Sequence, residues 1–194
     1  LNSEPYKALR RDFMDGKTNP ACHMCHEQEA VGIPSYRINK LLGYVWEWHE
    51  LAAMKQMQAD GTLDDWTMHW FDFRLSNICN FKCRMCGPGN SSRIASEYAD
   101  LGIDFSATKP EDVQQWFDEF AAHVDQAKEI YFAGGEPLLM DTHWRMLDQL
   151  IAVGNSEVSL SYSTNLSTFE YRGRSVLDLW PKFKRVHLAF SVDH

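Results

Sequence analysis

"FRLSNICNFKCRMCGPGNSS", residues 73–92, places Cys79, Cys83 and Cys86 within eight residues directly behind an apolar run. The chain has only five cysteines, so three of them crowd into one loop. Iron–sulfur cubes are normally held by four cysteines, and three leave one iron with an open coordination position. An open position is what a metal centre needs when a substrate or cofactor must bind the metal directly. The competing reading is structural zinc, with a fourth ligand from His69 or from the Cys22 pair.

Outward from this loop, strands and helices alternate. "HWFDFRL" (69–75) reads as a strand, followed by the cysteine loop and a helix near 90–100. "TKPEDVQQWFDEFAAHVDQA" (108–127) predicts a helix. Thr108 and Glu111 suit a capping box, Pro110 suits the first turn, and Val113, Trp116, Phe117, Phe120 and Val124 form an apolar stripe that belongs to a core. "EIYFAG" is a short buried strand, "DTHWRMLDQLIAVG" a helix stopped by Gly, "EVSLSYS" a third strand, residues 171–181 a helix and "RVHLAFSV" a fourth strand. The last three strands recur every ~30 residues, the length of a βαβ unit, which predicts a parallel sheet. His49, His123 and His143 fall in helical segments and read as surface or core residues.

Before residue 62 the texture differs. "EPYKALRRDFM" and "INKLLGYVWEWHELAAMKQMQ" look helical, the second with Leu42, Trp46, His49 and Ala53 roughly on one face. The loop expected between them, "DGKTNPACHMCHEQEAVGIPS", carries Cys22 and Cys25. The expected division is a helical, cysteine-containing segment 1–62 and an α/β segment 63–194. A strand ending near His194 without a covering helix predicts a chain cut at both ends.

Composition bounds the function. With 44% hydrophobic residues, 13% aromatic ones and seven Trp, the chain has the material for a packed interior. A net charge of −8 argues against nonspecific nucleic-acid binding, because no basic cluster exists to neutralise phosphates. No apolar run approaches the ~20 residues of a membrane span. Clustered cysteines without secretory marks point to metal binding in the cytoplasm rather than disulfides.

Taken together, C-x3-C-x2-C after the first strand, "AGGEPLL" after the second, "STN" after the third and "SVD" after the fourth resemble the radical S-adenosylmethionine (radical SAM) enzymes. The resemblance implies a partial (β/α) barrel made of its first four strands. It further implies a [4Fe-4S] cluster on Cys79, Cys83 and Cys86, whose remaining iron takes the amino and carboxylate groups of SAM. Reductive cleavage of SAM then yields a 5′-deoxyadenosyl radical that abstracts hydrogen from a substrate. Gly134 and Gly135 permit close backbone approach, Glu136 suits the cationic amino group, and Pro137 stiffens the turn. Thr164 and Asn165 are expected near the methionyl end, and Ser191 and Asp193 near the ribose. Met85 stands where the family often has an aromatic residue and is expected as a softer apolar neighbour of the cluster or adenine.

"CHMCHEQEAVGIPSYR" resembles the auxiliary-cluster region of twitch or SPASM-type relatives through Cys22, Cys25, Glu29, Gly32, Ser35 and Arg37. That likeness implies a second iron–sulfur cluster on Cys22 and Cys25. Zinc, a redox pair and two free thiols remain alternatives, and Arg37 reads as a structural salt-bridge residue. The implied partners are a peptide or small-molecule substrate and an electron donor such as flavodoxin or ferredoxin. A noncatalytic zinc or iron–sulfur module for protein interaction is the rival function.

Overall fold

Short β-branched and aromatic runs separated by helices build the parallel sheet that the sequence predicts. The computed structural model describes residues 2–43, 57–64, 67–105 and 110–191. The chain divides into two units, Leu1–Trp66 and Thr67–His194.

In the second unit, β1 (Trp70–Phe73), β2 (Glu129–Phe132), β3 (Ser159–Thr164) and β6 (Arg185–Phe190) form one sheet in the order β1-β2-β3-β6. Every pairing is parallel, with Phe71 opposite Ile130, Ile130 opposite Leu160 and Leu160 opposite Val186. The strands advance one place at a time, as in the wall of a (β/α) barrel. Alternate residues Ile130, Phe132, Leu160 and Tyr162 are buried in a core shared with Trp144, Met146, Leu147 and Leu150 of α6 (Asp141–Ala152). The intervening residues point the other way, and Tyr131 and Ser163 join their hydroxyls across that face at 2.7 Å.

Helix α4 (Ser92–Asp100) begins where Ser91 Oγ accepts the Ile94 N–H. Helix α5 (Pro110–Ala121) buries Phe120, and Trp116 and Phe117 pack against the same core, as the apolar stripe predicts. It stops at Ala121 rather than running to residue 127. The turns that follow leave the carbonyls of Val124 and Ala127 without helical partners, and both accept from the buried Asn155 Nδ2, at 2.8 and 2.9 Å. Thr108 and the proposed capping box lie outside the described residues.

The helix expected over 171–181 is replaced by a hairpin, β4 (Glu170–Tyr171) and β5 (Arg174–Ser175), and two 3-10 turns, Val176–Asp178 and Trp180–Lys182. Arg172 (φ 50°) and Gly173 (φ 77°) both adopt positive φ, the requirement of a two-residue I′ hairpin turn. Pro181 then restricts the second turn.

In the first unit, α1 (Glu4–Met14) forms as expected, and its Lys7 pairs with Asp60 at 2.5 Å. The stretch read as a loop carrying the cysteine pair is largely helical. Asn19 Oδ1 accepts the Ala21 N–H to start a 3-10 turn, Pro20–Cys22, which leads into α2 (His23–Ala30). The long helix expected over 38–58 is described only as α3 (Tyr36–Gly43). Met57 bridges Leu63 in antiparallel fashion, so residues 57 and 58 are not part of the expected helix. Trp46, His49 and Ala53 lie outside the described residues. Among the described residues, no helix is long and apolar enough to cross a membrane.

Candidate functional site

The C-terminal ends of β1, β2 and β3 meet around the cysteine loop, and backbone hydrogen bonds hold them together. Past β2, Ala133 N–H donates to Phe73 O (2.9 Å), Gly135 N–H to Ser76 O (3.0 Å) and Glu136 N–H to Ile78 O (2.7 Å). The turn that follows β2 is thereby zipped to the residues that lead into Cys79. A Cβ on Gly135 would stand 2.2 Å from Ile78 O, so only glycine lets the two backbones meet. Gly134 has φ +103°, open chiefly to glycine. The close approach read from these glycines is an approach to the chain's own loop.

Glu136 is 1% exposed. Its Oε1 accepts from Leu138 N–H (3.1 Å) and Thr164 Oγ1 (2.7 Å), and its Oε2 from Asn165 N–H (2.8 Å). A buried carboxylate requires such donors, and these three tie the end of β2 to the end of β3. Pro137 opens a buried 3-10 turn, Pro137–Leu139. Asn165 continues the chain of contacts. Its Nδ2 donates to Asn80 Oδ1 (2.9 Å) and to Cys79 Sγ (3.8 Å), and its Oδ1 accepts the Ser167 N–H (2.9 Å).

All five cysteines are half-buried. Cys79 Sγ also accepts the Phe81 N–H at 3.4 Å, whereas Cys86 Sγ faces Gly87 O at 3.8 Å. The loop is clamped from behind: Ser92 N–H donates to Asn77 O (2.6 Å), Asn77 Nδ2 to Pro88 O (2.9 Å) and Ser91 Oγ to Phe81 O (2.7 Å). Asn77, Asn80, Ser91 and Ser92 escaped the sequence reading. The serines stood in plain view as helix-start residues, but polar loop residues otherwise read as generic turn formers.

Ser191 reaches the same end of the sheet, where its N–H donates to Thr164 O at 3.0 Å. Asp193 lies outside the described residues. Met85 is 91% exposed. His69 is unsuited to ligate with the triplet: it precedes β1 while the cysteines follow it, about 13 Å of strand away. Its Nδ1 lies 2.9 Å from Gln126 O instead.

Beneath the site, His143 is fully buried, with Nε2 3.0 Å from the Tyr162 hydroxyl. It is a core histidine, one of the two readings open to it. Burial depresses its pKa to about 3 and raises that of Tyr162.

In the first unit, Cys22 ends the 3-10 turn and Cys25 lies in the first turn of α2. Glu29, one turn on from Cys25, accepts from Ser35 Oγ (2.5 Å) and pairs with Arg37 through both carboxylate oxygens. The fully buried Ser35 also receives the Ile38 N–H at 3.2 Å, which fastens α3 to α2. Hydrogen bonds from Arg37 and then Ser35 lower the Glu29 pKa, and Glu29, with lesser contributions from Cys25 and Cys22, raises that of Arg37. The salt-bridge reading of Arg37 holds. Among the described residues, no three His, Cys, Asp or Glu side chains are arranged to hold a metal ion.

The Radical SAM superfamily profile matches residues 73–194, more than half of the chain. The chain belongs to the radical SAM superfamily. The matched region contains the cysteine triplet, the Gly134-Gly135-Glu136 turn and the ends of β3 and β6, while Cys22 and Cys25 precede it. The parallel sheet and the helical first unit agree with a partial radical SAM (β/α) fold preceded by a helical segment. No curated protein and no solved structure matches the chain.

Proposed function

We propose that this radical SAM protein is an enzyme that uses a [4Fe-4S] cluster on Cys79, Cys83 and Cys86 to cleave SAM reductively. The observation that carries the reading is the convergence of three separate strand ends on one cysteine loop, through Gly135, Glu136 and Asn165. The donor set fits the group: three half-buried cysteine side chains are soft ligands of the kind iron–sulfur clusters take. Bound there, the cluster and SAM supply a one-electron cleavage of the sulfonium that starts hydrogen-atom abstraction.

The chain's own residues do the positioning. The Gly134-Gly135 turn fixes the loop, and Glu136 brings a negative charge to the strand ends that favours a cationic amino group nearby. Thr164 and Asn165 are fastened to Glu136 and so are pre-organised toward SAM. Ser191 and Asp193 serve the ribose hydroxyls, and the exposed thioether of Met85 offers an apolar surface for adenine.

The remaining assignments rest on resemblance and chemistry. Cys22 and Cys25 help ligate an auxiliary cluster, supported by their placement one turn apart beside the Glu29–Arg37 pair. The substrate is a peptide or small molecule. The electron donor is one such as flavodoxin or ferredoxin. Cysteines clustered as a pair and a triplet fit a reducing, cytoplasmic setting.

Formation of 5′-deoxyadenosine from SAM under dithionite tests the reading. Cys83→Ala is expected to abolish it, together with the SAM-binding cluster, while leaving any auxiliary cluster largely intact. A Cys83→Ala protein that still cleaves SAM overturns the proposal.

A further inference from the structure

The side-chain amide of Asn165 touches Cys79, and its three hydrogen-bonding contacts are all made within the chain. One N–H goes to Asn80 Oδ1 at 2.9 Å, another contact runs from Nδ2 to Cys79 Sγ at 3.8 Å, and Oδ1 accepts Ser167 N–H at 2.9 Å. Asn80 is itself held, because its Nδ2 donates to Ser167 Oγ at 2.7 Å. The backbone on the other side is fixed by the bond from Asn165 N–H to the buried Glu136. The amide is therefore locked in the orientation that aims a donor at the sulfur.

We infer that Asn165 is a positioning residue that raises the reduction potential of the centre held by Cys79. The inference rests on the proposed cluster assignment and deepens it. Reduction by one electron adds negative charge to a cluster and its thiolates. A donor aimed at a ligand sulfur stabilises that reduced state more than the oxidised one. Cys79 receives two such donors, Phe81 N–H at 3.4 Å and Asn165 Nδ2, while Cys86 Sγ faces a carbonyl oxygen. Of these two cysteines, the one that adjoins β3 receives the donors. One of them comes from a side chain 86 residues away, so the end of β3 reports directly on the cluster.

The test is a redox titration of the reconstituted full chain, with dithionite as electron source and electron paramagnetic resonance as readout. Asn165→Leu keeps the side chain's size and removes its donors. At a fixed potential the ratio of reduced to oxidised cluster is expected to fall about tenfold, equivalent to about 59 mV for a one-electron couple. Asn80→Ala removes the acceptor that aligns the amide and should shift the ratio the same way by a smaller factor. It also carries the test if Asn165→Leu fails to take up iron. In protein labelled with 15N-asparagine, pulsed resonance of the reduced cluster should show a nitrogen coupling that Asn165→Leu abolishes. A loaded cluster whose potential and coupling are unchanged in both variants overturns this inference alone. A wild-type chain with no reducible centre on the three cysteines overturns the cluster assignment as well.

Discussion

The two cysteine sites are held in different ways. Cys79, Cys83 and Cys86 sit on a loop without regular structure whose shape is imposed from outside, by the turn after β2, the end of β3 and the start of α4. Cys22 and Cys25 stand on consecutive turns of local helix, and their surroundings are fixed by one local cluster, Glu29 with Ser35 and Arg37. The first arrangement depends on long-range contacts and a folded sheet. The second draws on neighbours within fifteen residues. A site built by the whole sheet should fail when any strand end is disturbed, and a local one should tolerate changes elsewhere.

Substitutions at two glycines break the comparison most sharply. Gly135→Ala drives a Cβ into Ile78 O, and the resulting overpacking should cost roughly 3 kcal/mol and expel the loop. Chemical denaturation and iron content after reconstitution should both register the loss. Gly32, in the cysteine-pair segment, has φ +79° and open space around it. Gly32→Ala should cost only the backbone strain, about 1 kcal/mol, and leave the triplet's iron content unchanged.

Between those extremes lies Glu136→Gln. The amide loses an acceptor for one of three buried donors, an expected destabilisation of about 2 kcal/mol by denaturant titration. The corresponding change at the half-buried Glu29, Glu29→Gln, should cost less, because its partner Arg37 keeps contact with water.

The smallest effect at neutral pH concerns His143. Its folded pKa is about 3 against an ordinary 6.5, so the unfolded chain takes up a proton that the folded one refuses. Its neutral state contributes fully above pH 6.5. As pH falls from there toward 3, stability should decline by up to about 1.4 kcal/mol per pH unit. His143→Gln should flatten that slope in thermal melts taken across the window.

Much of the sheet was legible because strand signals are local: "EIYF" and "SLSYST" show their period directly, and the spacing between them matches a crossover unit. The cysteine loop and the Gly134-Gly135-Glu136 turn were likewise plain as motifs. Their partners were not. That Gly135 packs on Ile78, or that Asn165 reaches Cys79, depends on which strand ends the fold brings together, and no periodicity encodes it. The hairpin at 170–175 was missed because Arg172 at positive φ has no composition signal. The helix carrying Cys25 was missed because its moment is weak: polar residues surround it on every side.

The central claim is that three cysteines, placed by three strand ends, hold a cluster with one iron open to SAM. The most direct test is electron paramagnetic resonance of the anaerobically reconstituted, dithionite-reduced protein with and without SAM. The account predicts a [4Fe-4S]⁺ signal that shifts when SAM is added. A colourless, silent protein with stoichiometric zinc would contradict it and make the triplet a structural staple.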